Sequence, residues 1–385
     1  MQALKLIVRN AVRHKLRSAL TVVGLVVATL AFGFLQTVIK AWYAGANAAS
    51  NTTLITRNAT SLVFPLPLSY AGKIRAIDGV HGVAYGNWFG GVYQDPKNFF
   101  PQVAVSGQAY LDIYPDYVLP PAQRKAFLLD RKGAIVGRKL ADQYGFKVGD
   151  VIPLRGTIYP GQWEFNVRGI YEGRSASTVT TQMFFHWDYL NETLLKTAPR
   201  RANQVGVYVV RIERPDQAAQ VSAAIDATFR NSLAETLTET EKAFQLSFVS
   251  MSGAIVAAIR LVSFVVILII MAVMANTMAM SARERLSEYA TLKALGFGPG
   301  FLVSLIAGES MLLALAGGAI GMALLYPSAA MFAAKMGTLF PVFEVAPSTL
   351  LLQGAAACAV GLVAAIAPSV RAARVNIVEG LRSVA

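Results

Sequence analysis

Four long apolar runs constrain this 385-residue chain more than any other feature; they cover residues 18–40, 261–280, 301–325 and 350–367. A helix needs about 20 such residues to cross the hydrocarbon core of a bilayer. The first run is too long for a signal-peptide core, and no small-residue cleavage site follows it, so it reads as a retained span. Composition agrees: 55% of residues are hydrophobic and 15% charged, against about 25% charged in soluble domains.

The net charge is +13. Much of the excess flanks the apolar runs: Lys5, Arg9, Arg13, Lys15 and Arg17 before the first, Arg283, Arg285 and Lys293 between the second and third, and Arg371, Arg374 and Arg382 after the last. This is the positive-inside pattern. It predicts both termini and residues 281–300 in the cytoplasm, residues 41–252 outside it, and no nucleic-acid partner.

Residues 1–17 carry Leu4, Ile7, Val8, Ala11 and Val12 at helical spacing among basic residues. That predicts an amphipathic helix on the inner leaflet, with membrane lipids as its partner; a plain basic anchor reads the same way. Residues 41–252 alternate short strands and helices, an α+β pattern. Strands are expected over 53–64, 80–93, 102–106, 151–154, 165–171 and 205–212, and helices over 69–76 and 216–230, with 134–144 turning into a helix. Residues 237–259 lack proline and predict one helix running unbroken into the second span, a stiff stalk.

Residues 281–300 form a short polar connector, ended by Gly296, Gly298 and Pro299. On a helix Glu284, Glu288, Thr291 and Leu295 share one face, and Leu286, Tyr289, Ala290 and Lys293 the other. Like charges four residues apart repel, at a cost of about 0.2–0.5 kcal/mol. Two readings stay open: a solvated connector, or a surface awaiting an external cationic partner. In the third run Glu309 is an intramembrane carboxylate, a functional candidate by default, or a group near the inner interface that reaches water. Gly317 and Gly321 make a small-xxx-small pair suited to close helix packing.

Several chemistries lack their motifs. No phosphate-binding loop of the G-x-x-x-x-G-K-[ST] type occurs, and no G-x-S-x-G elbow. His14, His81 and His186 are scattered, and Cys358 is the single cysteine. No catalytic residue, metal site or cofactor is expected in this chain.

The run R-x-R-x-x-E-x-x-x-L-K-A-L-G, residues 283–296, followed by Gly308-Glu309-Ser310, resembles the permease core of the MacB/FtsX/LolE-type (type VII, mechanotransmission) ABC transporters. The ending P-S-V-R-A-A-R-V-N-I-V-E-G-L-R, residues 368–382, resembles that family's C-terminal signature. Residues 133–154 and 163–172 are similar to the helix-then-strand unit of MacB-like external domains, whereas 175–201 show no clear match. The resemblance implies a permease core over 265–376 and four transmembrane helices. It also implies a MacB-like α+β periplasmic domain inserted between the first and second helices, in a multi-pass inner-membrane protein. It further implies a homodimer with a separate cytoplasmic ABC ATPase that binds ATP and Mg, and a periplasmic adaptor or membrane fusion protein. The ATPase contact falls on Arg283, Glu284, Arg285, Glu288, Lys293, Leu295 and Gly296, and Glu309 takes a structural or coupling role. Export is the leading function. Lipoprotein or lipid extraction and activation of a cell-wall hydrolase are the alternatives.

Overall fold

The computed structural model describes residues 2–175, 177–336, 340 and 342–374. The last eight residues of the C-terminal signature, Arg382 among them, and the side chains of Leu4, Lys5, Val8 and Val12 lie outside the described set. The helices are α1 Gln2–Arg13, α2 Lys15–Ala48, α3 Tyr70–Arg75, α4 Gly107–Ile113, α5 Pro121–Leu129, α6 Arg138–Tyr144, α7 Trp187–Thr197, α8 Ala218–Thr228, α9 Glu241–Met251, α10 Gly253–Glu284, α11 Leu286–Ala294, α12 Pro299–Met336 and α13 Pro347–Ala373. The strands are β1 Thr53–Asn58, β2 Leu66–Pro67, β3 Val80–Trp88, β4 Gly91–Val92, β5 Gln102–Val105, β6 Tyr117–Val118, β7 Gly133–Gly137, β8 Val151–Gly156, β9 Gly161–Gly173, β10 Met183–His186, β11 Gln204–Val205, β12 Val207–Ile212 and β13 Thr236–Thr240.

Two compact units result. The first joins residues 1–41, 253–335 and 343–385. Among the described residues, α2, α10, α12 and α13 are the four helices long and apolar enough to cross a membrane. They extend beyond the runs that announced them: α12 continues past the third run through Pro327 to Met336, so residues 326–336 are helical too. Leu25, Phe32, Ile267, Met274, Leu302, Ile306, Val360 and Ala364 form the common core. Gly317 and Gly321 face α2, where an added Cβ would stand 2.4 Å from Leu25 Cβ and 2.1 Å from Thr29 Oγ1. Only glycine permits this approach. The N-terminal segment breaks at His14 into α1 and the start of α2, and Ile7 of α1 lies where a Cβ on Gly308 would meet it at 2.6 Å.

The second unit comprises residues 42–252 and 336–342. Its mixed sheet runs β13-β1-β12-β3-β5-β10-β7-β9-β8-β4, with β6 on β9. β10 lies parallel to β5, and β7 parallel to β9; the other pairs on this path are antiparallel. Both faces are covered. Met183 and Phe185 point into a core with Phe89, Trp163 and Phe165, while Phe184 points into another with Tyr110, Phe127 and Tyr171. A strand buried on both sides shows no polar alternation. For that reason the stretch 175–201, where the sequence predicts no strand or helix, holds a central strand and the helix α7.

The stalk also differs from expectation. Residues 237–240 are strand, paired with β1, and α9 starts only at Glu241, capped by the Thr240 side chain accepting from Ala243 N–H at 3.2 Å. Ser252, at φ −95° and ψ 10°, interrupts the helix before α10. The β-branched alternation of T-L-T-E-T favours a strand, and its cap stops the helix from extending backward. The strand expected over 53–64 likewise ends at Asn58.

Candidate coupling site

The connector between α10 and α12 is built by two local breaks. At Arg285 the backbone leaves helical geometry (φ −111°, ψ 16°), which separates α11 from α10. At the other end Gly296 takes φ +91°. Its N–H bonds the Lys293 carbonyl at 3.0 Å, and Phe297 N–H bonds the Leu292 carbonyl at 3.1 Å. This is a Schellman ending, which requires the left-handed conformation that glycine adopts without penalty. Gly296 therefore shapes the turn. Pro299 then opens α12, a position where its missing N–H costs nothing.

Of the charged residues expected to face a partner, Glu284, Arg285, Glu288 and Lys293 are engaged within the unit. Glu284 receives both Arg17 guanidinium nitrogens at 2.7 Å, with His14 Nε2 at 3.8 Å. Glu288 receives Arg13. The two carboxylates do share the exposed side of the connector, but the cations that relieve their repulsion come from α1 and α2. Lys293 Nζ donates to the Ala373 carbonyl at 2.7 Å.

Arg285 requires the largest correction. Its side chain is 3% exposed, so it does not present a charge to a soluble partner. Nη1 bonds Glu309 Oε2 at 2.8 Å, and Nη2 donates to the Asn10 carbonyl at 2.9 Å; Nε is buried without a hydrogen-bond partner. Glu309, 8% exposed, is thus half of a buried ion pair. One guanidinium ties α1, the α10–α11 break and α12 together. Tyr289 is buried beside it, and burial pushes its phenol up to about 12 against the lowering effect of Arg285. Neither Arg285 with Glu309 nor the Arg13 and Arg17 pairs were anticipated. The available signal was an unpaired arginine and an intramembrane carboxylate 24 residues apart.

Beyond the paired carboxylates, which stay partly exposed, the open surface of the connector is small and mostly apolar. Arg283, Thr291 and Ala294 are exposed, Leu295 is 71% exposed, and Phe297, stacked on Phe301 with ring centroids 4.8 Å apart, is 43% exposed.

The chain matches two family descriptions: an FtsX-like permease C-terminal region over residues 260–377, and a MacB-like periplasmic core domain over residues 18–228, more than half its length. It belongs to the MacB/FtsX/LolE-type family of ABC transporter permeases. The macrolide export ATP-binding/permease protein MacB of Sodalis glossinidius (strain morsitans) is 36% identical over 110 residues, which is 28% of this chain and 16% of that relative. Two solved structures also match the permease. The extracellular domain of the noncanonic ABC-type transporter YknZ from Gram-positive bacteria is 14% identical, with a TM-score of 0.35, and the match covers 49% of this chain and 98% of that one. A domain of a putative permease from Porphyromonas gingivalis is 16% identical, with a TM-score of 0.33, covering 49% and 88%. The family and the four apolar helices make this permease an inner-membrane protein, and a transporter's permease component is its non-catalytic part.

Proposed function

We propose that this chain couples ATP hydrolysis by a separate cytoplasmic ABC ATPase, which binds the ATP and Mg, to conformational work by its α+β domain outside the cytoplasm. Two copies form the membrane part, and export with a periplasmic adaptor is the leading use. The cation distribution supports the orientation: Arg9, Arg13, Lys15, Arg17, Arg283, Lys293, Arg371 and Arg374 flank the same ends of the four spans, with both termini inside.

The observation that carries the reading is the connector's two-sidedness. Its tip offers Leu295 and Phe297 to a soluble partner, while the segment behind it is tied in on three sides: Glu288 of α11 to Arg13 of α1, Glu284 at the end of α10 to Arg17 of α2, and Arg285 at the break between them to Glu309 of α12. A push on the tip therefore reaches several spans at once. The contact surface differs from the sequence expectation: Leu295, Phe297 and Arg283 touch the ATPase, and the carboxylates organise the connector.

The test is co-purification with an ABC ATPase of the same cell. Leu295→Glu and Phe297→Glu should each abolish ATPase recovery while the permease inserts normally. Normal recovery with both variants would place the contact elsewhere.

A further inference from the structure

A single carboxylate in the α+β unit stands where the end of the long helix α2 and the start of the shorter α9 meet its core. α2 leads through Ser50 into β1, and β13 leads directly into α9. These strands are antiparallel neighbours, with Leu54 opposite Thr240 and Asn58 opposite Thr236. Side chains tie the pair further: Thr56 Oγ1 lies 2.9 Å from Thr238 Oγ1, and Arg57 Nε 3.2 Å from Glu239 Oε1. Asp226 of α8 closes the outer edge, accepting from Thr236 Oγ1, Thr238 N–H and Thr238 Oγ1 at 2.9, 3.1 and 2.7 Å. The helices thus enter the sheet as a joined pair.

Glu241, the first residue of α9, sits at the helix end of that pair. Oε1 accepts from the Tyr114 hydroxyl at 2.9 Å, and Oε2 from the Ser50 backbone N–H at 3.4 Å. An acid in a helix's first turn is ordinarily explained by the helix dipole, but this one is turned into the domain, and no salt bridge reaches it among the described residues. The Tyr114 ring meets that of Tyr110, tilted, at 4.8 Å, and Tyr110 meets Phe184 of the central strand at 5.3 Å. Phe244, one turn along α9, packs on the same core. Beside them Gly45 of α2 passes so close to Gln245 that a Cβ would lie 2.8 Å from its Oε1.

We propose that Glu241 is a positioning residue that fastens the outer ends of α2 and α9 to the tyrosine-lined core, so that a shift of either helix is delivered to Tyr114 and the sheet above it. The proposal rests on the reading that these helices carry motion from the connector. Its chemistry is specific: two donors converge on two acceptor oxygens, and a glutamine has only one.

The test uses the full-length protein in nanodiscs, without nucleotide or partner, so it stands apart from the ATPase reading. Hydrogen exchange is followed in peptides covering 43–52, 241–251 and β7 with β10, for Glu241→Gln, Tyr114→Phe and the double variant. Each single change should speed exchange by roughly 5-fold or more in both helix-end peptides, leave β7 and β10 unchanged, and the double variant should be no faster than the singles. Unchanged exchange, a change in 241–251 alone, additive singles, or loss of protection across β7 and β10 would each overturn the proposal.

Discussion

Replacing Arg285 by Met should be more damaging than replacing both Arg285 and Glu309. At 2.8 Å the pair attracts by about 6 kcal/mol at an effective dielectric of 20, much of which offsets the desolvation of two groups exposed by only 3% and 8%. Removing one partner leaves the other buried and uncompensated, which costs about 3–5 kcal/mol. Arg285→Met also frees the Asn10 carbonyl, and Glu309→Leu leaves Arg285 with that carbonyl alone. Arg285→Met with Glu309→Leu removes both charges and keeps the volume, so the double variant should lose only about 0–2 kcal/mol. The assay is thermal unfolding of purified protein in detergent, in the style of a double-mutant cycle. Each single change should lower the apparent Tm by roughly 5–10 °C, and the double variant should recover most of the loss. Additive losses would refute the idea that the two groups answer each other, and a harmless Arg285→Met would mean its burial contributes nothing to the connector.

Two further outcomes follow from the packing and the charges. Gly321→Leu should lower stability by about 1–3 kcal/mol, because its Cβ would stand 2.1 Å from Thr29 Oγ1, while Gly354→Ala, with no atom within 4 Å of its Cβ, should be neutral or gain up to about 1 kcal/mol; equal melting temperatures would dismiss the close α2–α12 approach. Asp130 is acted on by burial, which raises its carboxyl, and more strongly in sum by Asn166, Arg168 and the Lys132 N–H, which bring it below the ordinary range. A depressed carboxyl stabilises above its unfolded value of about 3.9 and loses that contribution as pH falls through the folded value. Asp130→Asn should therefore cost about 1–3 kcal/mol near neutrality and nothing in strong acid; a deficit constant with pH would show that the charge is not its source.

The four long apolar helices, the α+β unit that follows the first of them in chain order, and the connector were legible in the sequence, because each depends on local composition: length of apolar run, a change to mixed strand and helix patterning, and a glycine-proline stop. β9 was legible in part, since its alternation over Trp163, Phe165 and Val167 is a local pattern. β10 was not, since M-F-F-H is buried on both faces and four residues long, and periodicity needs a solvent side to register against. The stalk was misread for the opposite reason: freedom from proline permits a helix over 237–240, but only pairing with β1 decides between helix and strand.

The candidate site divides the same way. The sequence alone determined that a charged, glycine-terminated helix separates two spans, since caps and breakers act within a turn or two. Tertiary structure alone decided the fate of each charge there. Glu284 and Glu288 meet arginines more than 260 positions away, Arg285 turns inward to Glu309, and Glu241 finds Tyr114 127 residues upstream. Charge interactions depend on separation in space and on the burial around them. Along the chain these residues are only acids and bases; their partners exist once the helices and the sheet have packed.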